Sequence, residues 1–305
     1  MDDDGERLRW GVRRRLEFID FRLFWDGRFN RSDMAETFGI SAQQASADIA
    51  QYEKRSPENL RYDRGEKAYV RADSFSPAFI GETIDRYLLQ LVAIENHWMR
   101  TGDTWFDTLP PVEVVTLGRR PTDPSVLLRV LDAVRKRLEI DIDYSSLTGS
   151  QHSSRTIAPH ALSHSAGRWY VRSWSREHND FRDYNLNRIE AVRGQRPASV
   201  DPTLDFEWMH QINLILVPNP ALTPARQAAV ASEHGMTDGR LVRPCRLSLS
   251  FYLMSELNLD VEPGVLKPEK QQIVLLNREE VTRARELSRQ MAIEALARSS
   301  ERDSA

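Results

Sequence analysis

The chain has 305 residues, 40% of them apolar and 29% charged, with one cysteine and a formal net charge of −3. Such a composition suits two or three ordinary hydrophobic cores, and it excludes a disulfide scaffold, a multi-cysteine zinc site and a polycation that coats nucleic acid indiscriminately. No run of about 18 apolar residues occurs and the N-terminus opens Met1-Asp2-Asp3-Asp4, so neither a membrane span nor export is indicated and the expected location is cytoplasmic.

Charge is unevenly distributed. Residues 7–71 carry 14 basic against 10 acidic side chains and residues 119–196 carry 14 against 9, whereas residues 72–118 carry 2 against 7 and residues 197–305 carry 12 against 15. Two basic modules separated by acidic ones permit local attraction of phosphate without a global positive field.

In the first module, Leu8, Val12, Leu16, Ile19 and Leu23 recur at three- and four-residue steps and predict a helix from about Leu8 to Trp25. A short helix follows, beginning near Arg31 and stopped by Gly39, a residue that takes the left-handed conformation a tight interhelical turn requires. Ser41, with Gln44 three positions on, then caps a helix over about Ala42 to Lys54 whose buried face is Ala45, Ile49 and Tyr52. Its opposite face holds Gln43, Ala47, Ala50, Gln51 and Lys54, with Gln44 and Ser46 at the margins. Glutamines pair bidentately with adenine in a major groove, and alanines let a helix approach the bases, so this reads as a recognition helix. Residues 60–64 and 67–71 flank a turn at Gly65 and form a wing whose Arg64 and Lys67 reach phosphates. One such helix reads only a few base pairs, which points to a homodimer on an inverted repeat of double-stranded DNA.

Ser76-Pro77 breaks the chain before a helix expected over Phe79 to Arg100. The passage from Pro110-Pro111 to Pro124 reads as a linker, and Asp123-Pro124 caps a helix bearing Leu127, Leu131, Val134 and Leu138. Alternating Ile140, Ile142 and Tyr144 predict a strand that ends in a polar turn at Gly149. Further strands are expected over Arg155 to Ala158, Trp169 to Trp174 and Arg182 to Ile189, together a small curled sheet or SH3-like barrel. By alternation Tyr170, Arg172 and Trp174 share one face, while Arg182 and Arg188 have equal parity. The concentration of arginine beside Trp169, Tyr170 and Trp174 suits an anionic ligand bearing a base, since guanidinium forks match phosphate and aromatic faces stack on bases. Arg155 and His160 extend that set. His152, His160, His164 and His178 fit no zinc spacing, and no metal or other cofactor is expected. Beyond Phe206 the reading is strand (Ile212 to Val217), helix (capped by Thr223-Pro224, closed near Gly235), strands (Leu241 to Phe251, Ile273 to Leu276) and a helix over Arg278 to Arg298, with no recognisable chemistry.

In this order, the winged helix-turn-helix, the connecting helix, the Tyr144 strand, Pro159-His160, Gly167-Arg168-Trp169-Tyr170-Val171, Phe181-Arg182 and Asn187-Arg188-Ile189 resemble bacterial WYL-domain transcription factors. The resemblance spans essentially the whole chain and is strongest to the BrxR and CapW group that regulates phage-defence (BREX and CBASS) islands; Val171 replaces the namesake leucine. It implies an α+β multidomain chain: a winged helix-turn-helix over 1–75, a helical connector over 76–122, an SH3-like (Sm-like) barrel sensing domain over 123–200 and a small α/β dimerisation domain over 201–305. It further implies a homodimeric repressor that reads DNA through Arg31, Ser41, Gln43, Gln44, Ser46, Ala47, Gln51, Lys54, Arg64 and Lys67. A nucleic-acid-derived or nucleotide effector would be bound by Tyr144, Ser145, Arg155, His160, Trp169, Tyr170, Arg172, Arg182 and Arg188. The alternative is a nucleotide- or nucleic-acid-processing enzyme using the His- and Arg-rich centre, although no phosphate-binding glycine loop, nucleophile elbow or paired-carboxylate metal motif is present.

Overall fold

The computed structural model describes residues 8–81, 84–115, 120–147 and 152–303, with side chains described up to 298 except at 152; the turn expected at Gly149 lies outside them. The chain divides into two compact units, Met1–Leu117 and Gly118–Ala305.

In the first unit α1 (Trp10–Phe21) runs on through a π-type turn, Arg22–Asp26, that closes on Gly27 at φ 78°. β1 (Arg28–Phe29) leads into α2 (Arg31–Phe38), where the Asp33 carboxylate accepts the Asn30 N–H at 2.8 Å and Gly39 at φ 62° ends the helix. α3 (Ala42–Arg55) starts with the Ser41 hydroxyl accepting the Gln44 N–H at 3.1 Å, as its sequence predicts. β2 (Leu60–Asp63) and β3 (Ala68–Arg71) complete a three-stranded sheet in the order β1-β3-β2. Leu16, Ile19 and Leu23 of the first helix, Met34 of α2, Ala45, Ile49 and Tyr52 of α3, and Phe29 meet in one core, a closely packed three-helix and wing unit.

The segment after the wing packs back on this unit through a buried carboxylate. Asp20, fully buried, accepts the backbone N–H groups of Ala78 at 2.7 Å and Ile80 at 3.1 Å and the Tyr52 hydroxyl. α4 (Ile84–Glu95) is shorter than its expected span, and buries Leu91 against Phe21 and Phe106 while Tyr87 stacks on Trp25. The chain leaves α4 through His97 at φ 58°.

The second unit opens with α5 (Pro124–Lys136), capped by Asp123. It buries Val126, Val130 and Ala133; the expected stripe of Leu127, Leu131 and Val134 lies only half-buried beside them. β4 (Leu138–Ser145), β5 (His152–Ser165), β6 (Arg168–Ser175), β7 (Asp180–Asn185) and β8 (Ile189–Pro197) form an antiparallel sheet in the order β7-β6-β5-β4-β8. β5 is longer than its expected span: it pairs with β4 up to Ile157 and with β6 from Ile157 onward, passing a register shift between Pro159 and Ala161. A proline has no N–H for a ladder, and the bulge there lets the strand continue and bend. The expected SH3-like barrel is not closed: β7 and β8 remain as two edges with no pairing between them.

A second, three-stranded sheet, β10-β9-β11, follows a single-turn helix α6 (Phe206–Met209). It comprises β9 (Gln211–Pro218), β10 (Leu241–Arg246) and β11 (Ile273–Leu275), with α7 (Pro224–Glu233) between the first two. The run Leu247 to Phe251, expected to continue a strand, instead begins α8 (Leu247–Glu256), and α9 (Arg278–Asp303) ends the chain. Leu214, Leu216, Val230, Met254, Ile273, Leu275 and Val281 form the core of this part.

Candidate nucleic-acid interface and anion pocket

α3 presents Gln43, Ala47, Ala50 and Lys54 to solvent, with Gln51 half-buried. Ser46 is held within the helix pair: its hydroxyl donates to the Ala42 carbonyl at 2.9 Å and accepts Arg31 Nη1 at 3.2 Å. Gln44 is exposed, and its amide nitrogen donates to Asp48 at 3.1 Å. At the wing tip, Asp63 accepts the N–H groups of Gly65 at 2.8 Å and Glu66 at 3.1 Å. Those backbone donors hold its pKa below the usual carboxylate value, with help from Arg61. This Asx turn leaves Arg64 and Lys67 exposed, Lys67 at φ 52°. The expected reading face is therefore a continuous helix surface beside an ordered wing; Ser41 acts as its cap.

In the second unit the expected ligand residues divide between places. Tyr144, Arg155, Arg182 and Arg188 line one cavity of about 470 Å³, together with Ser146, Ser153, His178, Asp183 and Tyr184. Cross-strand register explains the convergence, because Tyr144 faces Ser153 across the β4–β5 ladder and the Arg155 guanidinium lies 5.7 Å from the Tyr144 ring centroid. Arg155 Nε donates to Ser153 at 3.0 Å and its Nη1 lies 3.4 Å from Glu177, whereas Arg182 is half-exposed with Asp180 at 3.9 Å. The pKa of His178 is lowered by desolvation and then by the neighbouring Arg182 guanidinium. The wall sets three arginines and two serines, which can receive a phosphate, beside the carboxylates of Glu177 and Asp183; its tyrosines, Tyr144 and Tyr184, are buried and pack edge to face on each other.

Arg172 is elsewhere. It is 4% exposed and grips Asp205 through Nε at 2.7 Å and Nη2 at 2.9 Å, with Glu207 at 3.3 Å and Asp183 at 3.4 Å. Burial alone would favour loss of its proton, but these carboxylates outweigh that and push its pKa up. Burial likewise tends to raise Asp205, yet the Arg172 and His160 hydrogen bonds bring it below its ordinary value. His160 Nε2 sits 2.9 Å from Asp205, beside a separate, mainly apolar cavity of about 250 Å³ walled by Trp174, Phe181 and Trp208. Tyr170 packs on Tyr252 of α8 at 4.6 Å. The shared face of Tyr170, Arg172 and Trp174 thus exists as alternation predicts, but the C-terminal elements cover it. Ser145 donates to Glu190, and Trp169 is half-exposed against His164, away from the arginine-lined cavity.

Asp205 and Glu207 escape sequence reading because they are 33 and 35 residues from Arg172 and belong to no motif. Ser153 and Tyr184 could have been found by register, once Tyr144 and Arg182 were placed. Among the described residues no group of three or more His, Cys, Asp or Glu side chains could hold a metal ion.

The model for the BrxR transcriptional regulator winged helix-turn-helix domain matches residues 11–93, that for the WYL domain residues 125–193, and that for the BrxR C-terminal dimerization domain residues 211–281. The DNA-binding transcriptional repressor CapW of Pseudomonas aeruginosa is 37% identical over 276 residues, which is 90% of this chain and 91% of that protein. The chain belongs to the CapW/BrxR family of WYL-domain regulators. CapW of Stenotrophomonas maltophilia is 34% identical over 92% of this chain and 95% of its own, and an Escherichia coli CapW is 34% identical over 90% and 91%. These relatives carry the name of repressors, a non-enzymatic class, which sets aside the enzyme alternative. A solved structure, the proteasome accessory factor B/C of Arthrobacter aurescens, aligns with 98% of this chain and 51% of its own at 16% identity and a TM-score of 0.25. Asp205 and Glu207 lie between the segments matched by the WYL and C-terminal models; both pair with Arg172, and Glu207 also pairs with Arg289 of α9 at 3.2 Å.

Proposed function

We propose that this chain is a homodimeric transcriptional repressor of a phage-defence operon in the cytoplasm. It binds an inverted-repeat operator through α3 and the wing, and is released when a nucleic-acid-derived anion fills the Tyr144–Arg188 cavity. The convergence of Arg155, Arg182 and Arg188 with Tyr144 on one cavity carries the effector reading; the repressor names of the relatives and the exposed glutamine–alanine face of α3 support the operator reading. Of the arginines expected to bind ligand, Arg172 is the exception, being saturated by carboxylates.

An effector shifts the equilibrium only by its preference for the non-binding state, so tenfold weaker operator binding needs about 1.4 kcal/mol of preference. The test is footprinting on the chain's own promoter, repeated with short single-stranded DNA and with a nucleotide second messenger. Protection of a two-fold repeat that disappears with one of these anions supports the reading. Protection of no defined site, or a footprint indifferent to all of them, removes the operator or the effector half respectively.

A further inference from the structure

Gln44 differs from the other polar residues of the α3 face in having its amide oriented from behind. Asp48, one turn later and 2% exposed, receives the Gln44 amide nitrogen on Oδ1 at 3.1 Å. The same carboxylate is gripped from α1 by Arg15, through Nε to Oδ2 at 2.6 Å and Nη2 to Oδ1 at 3.2 Å. A carboxamide rotated by half a turn exchanges its donor and acceptor ends with almost no change of shape, so an exposed glutamine is free to present either. An ionised carboxylate only accepts, so it selects the orientation with nitrogen facing it. Arg15 in turn fixes the carboxylate, because a bidentate guanidinium holds its plane.

With one N–H of Gln44 directed to Asp48, the amide keeps its oxygen and its second N–H for solvent. That pair matches the N6 donor and N7 acceptor of adenine in a major groove. We propose that Arg15 and Asp48 are positioning residues for base readout: neither touches DNA, and together they commit Gln44 to adenine at one base pair of each half-site. The proposal rests on α3 being the recognition helix.

The experiment selects an operator from a random duplex pool with the full-length protein, then measures binding to every single base-pair variant of it for wild type, Gln44→Ala, Asp48→Asn, Arg15→Gln and the Gln44→Ala/Asp48→Asn double variant. Melting curves are recorded alongside. Asp48→Asn offers Gln44 a donor as well as an acceptor, so the preference for adenine at one base pair should fall about tenfold. Preferences elsewhere and the dependence on salt should stay unchanged. Arg15→Gln, which removes only the outer clamp, should relax the same base pair to a lesser degree. The double variant should lose no more there than Gln44→Ala alone, the signature of two residues acting through one contact. If Asp48→Asn does not fold, the Arg15→Gln profile decides. Profiles identical to wild type, or a uniform loss at all positions accompanied by a lowered melting temperature, would overturn the inference and leave Asp48 as a purely structural ion pair. A wild-type protein that prefers no sequence would remove the recognition-helix reading itself, and the inference with it.

Discussion

Arg172 and Arg182 lie on neighbouring strands and do opposite things. Arg172 compensates three buried carboxylates, so Arg172→Ala should destabilise the second unit by about 3–5 kcal/mol, the usual cost of stranding a buried ion pair. Arg182 is half-exposed with one distant partner, and Arg182→Ala should cost less than about 1 kcal/mol while abolishing effector release. Melting curves read beside release assays separate the two; equal destabilisation would put Arg182 in the packing and not in the cavity. In the first unit, Arg22 serves Asp26, Asp33 and Asp107 at once, at 2.8, 3.3 and 3.2 Å. One cation among three carboxylates leaves excess negative charge. Burial raises the pKa of Asp26 to about 6 from 3.8, against the pull of Arg22. A carboxyl with a raised folded-state pKa contributes stability that is complete below the unfolded value and is lost as pH rises through the folded one. Between pH 7 and pH 5 acidification should therefore stabilise this unit, and Asp26→Asn should raise its melting temperature at pH 7 and flatten that slope. An unchanged slope in the variant would assign the titration to another group.

Among the elements, those with chemical punctuation were legible. Gly39, Ser41, Asp123-Pro124 and Thr223-Pro224 mark helix ends that the structure keeps; Ser41 and Asp123 each accept an N–H of their own first turn and need no distant partner, whereas Gln44 turns to Asp48 and leaves the expected capping box half made, and Thr223 makes no side-chain cap bond. Elements that depend on tertiary surroundings were not. β5 runs through Pro159 because a bulge accommodates the missing donor, and Leu247-Ser248-Leu249-Ser250-Phe251, which alternates with the period of a strand, turns helical as the first part of α8, where Ser248 and Ser250 are buried alongside Leu247 and Met254. At the candidate site, alternation correctly grouped Tyr170, Arg172 and Trp174, but it shows a face and not what covers it; the covering groups, Asp205, Glu207 and Tyr252, lie far along the chain. The wing carries the remaining element-level test. Arg64 and Lys67 project from an Asx-stabilised tip, so Arg64→Ala should weaken operator and random DNA alike and lower the slope of log affinity against log salt by about 1. A loss confined to the operator would instead make Arg64 a base-reading residue.

For the molecule as a whole, repression and release demand that two properties coexist: a two-fold DNA complex and an anion site that opposes it. Light scattering should give a dimer at micromolar concentration, since one copy of α3 reaches too few base pairs for a specific site. A monomer with full operator affinity would contradict that assembly. The most direct measurement titrates short single-stranded DNA into a fluorescently labelled operator complex, for wild type and for Arg188→Ala, whose side chain lines the arginine cavity. Wild type should release the operator at least tenfold more readily than the variant, with both binding it equally beforehand. Release of equal efficiency from both proteins would contradict the account, because the anion would then act outside the cavity.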